Sequence, residues 1–216
     1  MITEINVIGA GGSGSFLLAH LARFLKGHEI TLPVKVFDGD RYEHQGNSLR
    51  APIVAATDMG RYKAETLCHR LNLIYGLNLF EPRNEYFDTA CHSILAKTLL
   101  ITCVDTLSFR QSLARHVQHR EPSIFWCDLG NGLDFGQALL GWDQTTWPHH
   151  QWPNFWNEKD DPNPPCTQAP FAIQGPLVNP MSALAAMMLL EPMLLNQKPN
   201  HKAAFFGSFG LRLQFV

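Results

Sequence analysis

The sequence has little net charge and no apolar run long enough to span a bilayer. Its 17 Lys and Arg oppose 19 Asp and Glu, which leaves a net charge of −2 and no basic field for nucleic acid or an anionic membrane. The longest apolar candidate, residues 181–195, is interrupted by Glu191 and Pro192, and no basic-then-apolar leader opens the sequence. We therefore expect a cytoplasmic protein that binds neither nucleic acid nor membrane.

Cysteine is scarce and irregularly spaced. The five cysteines are Cys68, Cys91, Cys103, Cys127 and Cys166, and no two of them form a C-x-x-C pair. An odd number without such pairs predicts neither a disulfide framework nor a structural zinc site. With 216 residues, of which 45 % are hydrophobic and 17 % charged, the chain can bury one full core. We expect a single domain over residues 1–216.

Glycine is concentrated near the start of the chain. A short apolar run, residues 5–8, is followed by GAGGSGS and then by an amphipathic segment, which is the order strand, tight turn, helix. Glycines let a backbone turn sharply and approach a ligand closely, and a helix start presents free N–H groups to an anion. The candidate nucleotide-binding glycines are Gly9, Gly11, Gly12 and Gly14.

These glycines do not by themselves identify the ligand, because glycine clusters also form turns that bind nothing. Gly9, Gly11 and Gly14 fit the dinucleotide fingerprint G-x-G-x-x-G. Asp38 ends the next apolar run 24 residues after Gly14, about where an acid that binds the ribose of NAD is expected. At this point the sequence predicts a bound nucleotide and leaves NAD open as a candidate.

Apolar and amphipathic segments alternate over the first 130 residues. Strands are predicted at 5–8, 34–37, 79–86, 99–105 and 123–130, and helices at about 58–73, 89–95 and 107–120. This alternation predicts an α/β fold, with a Rossmann-like, doubly wound and mostly parallel sheet between helices. Ligands bind at the carboxyl ends of the strands in such folds. The residues expected there are Gly9, Asp38, Asp105 and Asp128.

The chain changes character near Trp142. Residues 142–166 contain four of the five tryptophans and five of the 14 prolines. Proline opposes regular structure while tryptophan argues against free disorder, so we expect an extended loop that packs against the rest of the protein. A helix is predicted at about 180–195, and the sequence AAFFGSFGLRLQFV is predicted to end the chain as a strand or hairpin.

The stretch DGDRYEHQGNSLRAPIVAATDMGRYK, residues 38–63, closely resembles the pattern of the ThiF, MoeB and ubiquitin-activating-enzyme (E1-like) superfamily. In that pattern the second strand ends in D-x-D, an N-x-x-R follows, a lysine sits on the next helix, and a later strand ends in a metal-side aspartate. The matching residues are Asp38, Asp40, Asn47, Arg50, Lys63 and Asp105. The adjacent glycines at 11 and 12 also suit the G-x-G-G-x-G of the superfamily.

The resemblance implies ATP and Mg²⁺, and the physical chemistry of the matching residues agrees. A dinucleotide enzyme has no need of two cations beyond its glycine loop, whereas Arg50 and Lys63 could neutralise a triphosphate, the first as a fork and the second as a point charge. Mg²⁺ prefers one or two carboxylates together with phosphate oxygens, which Asp105 can provide. The structural alternatives are a surface arginine, a solvated lysine and, for Asp105, a helix N-cap.

A shorter match lies further along the chain. PPCTQAPFAIQGPLVN, residues 164–179, resembles the ThiF-family proteins of the PRTRC plasmid-type cluster, with Cys166, Gln174 and Asn179 at the recurring positions. In the superfamily a cysteine in this region can carry a thioester or a sulfur, so the resemblance makes Cys166 a candidate nucleophile. The alternative is a packed, inert cysteine.

The leading hypothesis is adenylation of the C-terminal carboxylate of a ubiquitin-like or sulfur-carrier protein, by a homodimer with Arg50, Lys63, Asp105 and Cys166 as catalytic residues. Two features depart from the superfamily pattern. Ala51 stands where the pattern has Gln, and residues 1–6 contain no arginine that could enter the site of a partner subunit. An NAD-binding oxidoreductase or redox sensor and a non-catalytic E1-like scaffold stay open as alternatives.

Overall fold

The computed structural model describes residues 1–43, 51, 54–118, 123–132, 134–156, 177–207 and 212–216. The strands are β1 (Glu4–Ile8), β2 (Val34–Phe37), β3 (Phe80–Arg83), β4 (Thr98–Thr102), β5 (Phe125–Asn131), β6 (Phe135–Gly141), β7 (Ala203–Gly207) and β8 (Arg212–Phe215). The helices are α1 (Gly12–Gly27), α2 (Lys63–Tyr75), α3 (Leu107–Gln118), α4 (Pro148–Gln151) and α5 (Val178–Leu194). No helix in these ranges is both long and apolar enough to cross a lipid bilayer.

The eight described strands form one sheet in the order β3-β2-β1-β4-β5-β6-β7-β8. The five strands from β3 to β5 pair in parallel, and β5 to β8 pair antiparallel. Strands β1 and β4 are buried along their whole length, as expected for central parallel strands covered on both faces. The Rossmann-like parallel sheet predicted from the sequence is confirmed, and the C-terminal strands extend it.

Helices cover both faces of the sheet. Ile5 and Val7 of β1 point to the face that is packed by α1, α2 and α5. Ile8 of the same strand points to the opposite face, where α3 and residues of the 142–156 segment pack against Trp126. Because side chains alternate between the two faces along a strand, β1 contributes to two separate apolar clusters, one on each face of the sheet.

The register of the central strands determines where the chain leaves the sheet. Ile8 at the end of β1 lies opposite Phe37 of β2 on one side and opposite Thr102 of β4 on the other. The loops that begin after these three strands therefore emerge side by side at the carboxyl edge. The glycine loop, the D-x-D sequence and the segment before α3 meet there.

One predicted helix is wrong. Residues 89–91 form a turn and residues 92–95 have no regular secondary structure, because local side chains offer the backbone other hydrogen bonds. Asp88 Oδ1 accepts a hydrogen bond from Ala90 N at 2.8 Å, and His92 Nδ1 accepts one from Asp88 N, also at 2.8 Å. The helix predicted from about residue 58 begins later, at Lys63, after a short 3-10 helix at Ala56–Asp58.

The described part of the predicted 142–166 loop, residues 142–156, is more ordered than an extended loop. Thr146 accepts hydrogen bonds from the backbone N–H groups of Trp142 and Asp143, and Pro148 occupies the first turn of α4. Trp147 is fully buried against the α3 face of the sheet. The segment is thus packed against the protein through Trp147. Residues 157–166 lie outside the described ranges.

Candidate functional site

A cavity of about 500 Å³ lies at the carboxyl edge of the parallel strands. Its walls come from the residues that follow β1, β2 and β4, from the end of β5, and from the first turns of α1, α2, α3 and α5. The sequence-predicted residues that line it are Gly9, Gly11, Gly12, Asp38, Asp40, Lys63 and Asp105. This edge is where ligands bind in open α/β sheets.

Gly9 and Gly14 are glycines because of the packing around them. Gly9 has a φ of +97°, and a Cβ there would lie 2.8 Å from the carbonyl oxygen of Cys103. A Cβ on Gly14, behind the loop in α1, would overlap the carbonyl oxygen of Gly9. A Cβ on Gly11 would meet no atom within 4 Å. Gly11 therefore leaves space in the cavity rather than relieving a clash.

The start of α1 presents backbone donors to the cavity. The first helical hydrogen bond is donated by Ser15 N to Gly11 O at 2.9 Å. The N–H groups of Gly12 and Ser13 precede it and have no acceptor within the helix. Both residues line the cavity, and no acidic residue lies in the first turn. This end of the helix favours an anion.

Asp38 ties the glycine loop to β2. Its Oδ2 accepts a hydrogen bond from Ala10 N at 2.7 Å, and its Oδ1 accepts one from Asp40 N at 2.9 Å. Asp38 is only 7 % exposed, and this burial raises the pKa of its carboxyl against the opposing effects of Lys63 and the two backbone donors. The carboxylate thus holds the loop in place beside the cavity, and its contact with a ribose stays a prediction.

Lys63 brings a cation to the same wall. Its Nζ donates to Asp40 Oδ2 at 2.7 Å, and Tyr86 Oη donates to Asp40 Oδ1 at 2.5 Å. Burial favours a higher pKa for Asp40, but its hydrogen bonds with Lys63 and Tyr86 outweigh this effect and lower the pKa. The hydrogen bond to Asp40 raises the pKa of Tyr86 to about 12. Lys63 is 3 % exposed and is therefore not a solvated helix lysine. The sequence analysis did not single out Tyr86, which is 46 residues away from Asp40.

Asp105 lies three residues beyond β4, whose last residue is Thr102. It is exposed and lines the cavity, and the Thr106 hydroxyl donates to its Oδ1 at 3.4 Å. The described residues contain no group of three acidic, histidine or cysteine side chains that could hold a metal. Mg²⁺ prefers few carboxylates together with phosphate oxygens, so a single accessible carboxylate fits this ion.

Arg110 of α3 is a second cation in the cavity wall, and the sequence analysis missed it. Its Nη2 donates to the carbonyl oxygens of Val104 at 2.6 Å and Leu129 at 2.5 Å. Its Nε lies 3.4 Å from Oδ1 of Asp128. Asp128 lies on β5 opposite Thr102, the last residue of β4, so the topology brings it close to the start of α3. The signal available in the sequence was an arginine five residues after Asp105.

Neutral polar side chains complete the wall near β5. Ser13 Oγ donates to Asn179 Oδ1 at 3.0 Å, and Asn131 Nδ2 donates to Ser13 Oγ at 2.5 Å and to Asn179 Oδ1 at 3.0 Å. The three residues come from α1, β5 and α5, and all of them line the cavity. A Cβ on Gly12 would overlap the Asn179 amide, which explains the glycine at that position.

Three predicted site residues, Asn47, Arg50 and Cys166, lie outside the described residues, and their roles stay predictions. Among the described cysteines, Cys68 and Cys127 are buried. Cys103 is partly buried and lines the cavity.

Solved structures share this fold. The structure of E. coli MccB with ATP superposes with a TM-score of 0.68 at 14 % identity, over 99 % of this chain and 63 % of the MccB chain. The values are 0.69 and 14 % for E. coli MccB with AMPCPP and MccA, and 0.68 and 14 % for PaaA, with the same coverage. This chain therefore spans about 63 % of the length of these proteins. No protein-family model and no curated protein sequence matches it.

The comparison bears on the fold, since identities of 14 % carry no further conclusion. MccB and PaaA are members of the ThiF/MoeB superfamily, whose pattern the sequence resembles at residues 38–63. The chain therefore has the E1-like fold of the ThiF/MoeB proteins MccB and PaaA, as the resemblance predicted.

Proposed function

We propose that the protein is an ATP-dependent, E1-like adenylating enzyme that activates the C-terminal carboxylate of a protein or peptide. The observation that carries the proposal is the buried Lys63, whose Nζ is held by Asp40 in the wall of a cavity that also contains the glycine loop. A cation and the backbone N–H groups of a helix start in one cavity suit a polyphosphate. The E1-like fold, with MccB solved with ATP and with AMPCPP, supports the same ligand.

With ATP bound, the described cavity would carry an excess of negative charge and would need further cations. Three carboxylates, from Asp38, Asp40 and Asp105, face two cations, from Lys63 and Arg110. A triphosphate would add more negative charge to this set. Arg50 and a Mg²⁺ ion at Asp105 are the proposed sources of compensation. When bound, the ion would neutralise charge on the phosphates and on the leaving pyrophosphate.

The proposed reaction is a displacement at phosphorus. One oxygen of the substrate carboxylate forms a bond to the α-phosphorus of ATP. The bond from that phosphorus to the oxygen bridging it to the β-phosphorus breaks, and pyrophosphate leaves. The product is an acyl-adenylate. The protein contributes mainly by positioning the two reactants and by stabilising negative charge.

The proposed partner is a ubiquitin-like or sulfur-carrier protein. MccB has been solved with MccA, which supports a peptide C-terminus as the general class of substrate. Transfer of the acyl group to Cys166 and assembly as a homodimer belong to the same proposal. Both follow from the superfamily resemblance.

Replacement of Lys63 tests the assignment of the cavity to a nucleotide with several phosphates. Lys63→Met keeps the length of the buried side chain and removes its charge, and a charge-assisted contact is worth about 1.5–3 kcal/mol. We expect ATP·Mg²⁺ to bind about tenfold or more weakly to this variant in calorimetric titration.

Lys26→Met, at an exposed position in the last turn of α1, is the matched control. The control should bind ATP like the unmodified protein. Equal ATP affinity in both variants would remove Lys63 from the phosphate site, and preferential binding of NAD would favour the oxidoreductase alternative.

A further inference from the structure

The two ends of the cavity are lined by different charged residues. Asp38, Asp40 and Lys63 lie after β2 and at the start of α2, whereas Arg110 donates to the carbonyl oxygens of Val104, beyond β4, and of Leu129 in β5. From β2 to β5 the sheet order is β2-β1-β4-β5. Three strand spacings of about 4.8 Å separate these ends by about 14 Å. The proposed function places the nucleotide against the glycine loop and Lys63 and leaves the β5 end without a ligand.

Arg110 is held by hydrogen bonds that use only some of the donors of its guanidinium. An arginine side chain has five N–H donors. Nη2 uses its two donors on the carbonyl oxygens of Val104 and Leu129, and Nε faces Asp128. Nη1 makes no hydrogen bond to the described residues, while Arg110 lines the cavity. The side chain is 13 % exposed, so its position is set by the protein and not by solvent.

Asp128 supplies the countercharge that fixes this orientation. It is fully buried, the Thr102 hydroxyl donates to its Oδ1, and Trp126 Nε1 in turn donates to Thr102 Oγ1 at 3.0 Å. Its Oδ2 has no hydrogen-bond partner in the described residues. A buried carboxylate is costly unless it is paired. Asp128 therefore lies against the Nε side of the guanidinium, and the Nη1 donors have no hydrogen-bond partner among the described residues.

The cavity that Arg110 lines suits a carboxylate on an organic chain. Its wall also contains the neutral hydrogen-bonding groups of Ser13, Asn131 and Asn179 and apolar surface from Leu129. A hydrogen bond from a charged guanidinium N–H to a carboxylate is stronger than one from a neutral donor.

We infer that Arg110 binds the substrate carboxylate that attacks ATP, and that Asp128 acts as a positioning residue for Arg110. This inference rests on the proposed function and names the acceptor end of the same site. The carboxylate oxygen that does not attack phosphorus becomes the carbonyl oxygen of the acyl-adenylate. Its contact with Nη1 therefore persists from substrate to product, whereas a substrate with an amide at its C-terminus has no carboxylate oxygen that could attack phosphorus.

Two small probes test this assignment without knowledge of the carrier protein. Glycyl-sulfamoyl adenosine mimics an acyl-adenylate and carries the acyl carbonyl, whereas sulfamoyl adenosine lacks the glycyl group. Calorimetric titration of the full chain with both gives the ratio of the two affinities. We expect the unmodified protein to bind the glycyl compound more tightly, and Arg110→Gln to reduce this ratio about tenfold while binding of sulfamoyl adenosine changes less than about twofold.

The matched control is Arg115→Gln, an exposed arginine on the same helix, which should keep the ratio. Asp128→Asn should lower the ratio in the same direction without changing the affinity for sulfamoyl adenosine, which a purely structural role would not do. Because Arg110→Gln leaves Asp128 as an unpaired buried charge, the double variant Arg110→Gln, Asp128→Asn is measured as well.

The outcomes separate the two proposals. If the unmodified protein binds neither compound, the adenylation proposal fails and the acceptor assignment fails with it. If it binds sulfamoyl adenosine and the glycyl group adds no affinity, the acceptor assignment alone is overturned. Equal losses for both compounds in Arg110→Gln and in the double variant would assign Arg110 to the nucleotide or to the fold, and would also overturn the inference.

Discussion

Single glycines in the loop after β1 have different physical roles. Gly9 needs its positive φ, and Gly14 allows α1 to approach the carbonyl oxygen of Gly9. Gly11 has no such constraint, because the space that a Cβ would occupy is open. One sequence motif thus combines glycines that packing requires with Gly11, which packing does not require.

Gly11→Ala should separate ligand binding from folding. The added methyl group meets no protein atom but enters the cavity, so we expect ATP·Mg²⁺ affinity to fall about tenfold. The free energy of unfolding should stay within about 0.5 kcal/mol of the unmodified value, as for surface substitutions. Titration and urea unfolding measure the two quantities.

Gly27→Ala is the control, since a Cβ at the end of α1 also meets no atom but lies far along the helix from the loop. It should leave ATP affinity unchanged. A Gly11→Ala protein that binds ATP normally would show that the nucleotide does not approach the loop.

Site residues that belong to a motif within one segment could be predicted from the sequence. Site residues that depend on contacts between distant segments could not. Lys63 was identified from the resemblance, and the structure places it in the cavity. Tyr86 and Arg110 were missed because their importance arises from contacts with Asp40 and Asp128, which lie on other elements. Only the topology of the sheet brings these pairs together.

Secondary-structure elements were predicted best where the apolar pattern was continuous. The run at residues 34–37 coincides with β2, and the helix predicted at 107–120 is α3. Strand β6 was missed because FGQALLG contains two glycines and pairs antiparallel with β5, outside the strand-helix alternation. The 89–95 helix was wrong because Asp88 and His92 bond to the local backbone instead.

The contact between α3 and α4 predicts a dependence of stability on pH. His149 of α4 lies between Trp126 and Trp147, and Gln118 Nε2 lies 3.0 Å from its Nε2. Burial, with a smaller contribution from the neighbouring His150, lowers the pKa of His149 to about 4. Because the folded state disfavours the protonated ring, this residue should cost stability as the pH falls from about 6.5 to 4.

Urea unfolding at pH 7 and pH 4.5 measures this effect. The unmodified protein should lose about 2 kcal/mol more between the two pH values than His149→Gln does. His20→Gln, at an exposed position on α1, is the control and should behave like the unmodified protein. The same loss in His149→Gln would assign the pH dependence to other groups.

In the molecule as a whole, the described residues that we assign to ligand binding lie at one edge of the sheet, the carboxyl edge of its parallel strands. The strand order β3-β2-β1-β4-β5 places the glycine loop between Asp38 on one side and Asp105 and Arg110 on the other. The central claim is that this edge binds ATP for adenylation rather than a dinucleotide for hydride transfer. Both ligands suit a Rossmann-like sheet, so the fold alone does not decide between them.

The most direct test is calorimetric titration of the full chain with ATP·Mg²⁺, NAD and NADH under the same conditions. We expect saturable binding of ATP·Mg²⁺ and no measurable binding of either dinucleotide, because Lys63 and the N-terminus of α1 favour a chain of phosphates. Binding of NAD or NADH in preference to ATP·Mg²⁺, or binding of none of the three, would contradict the account.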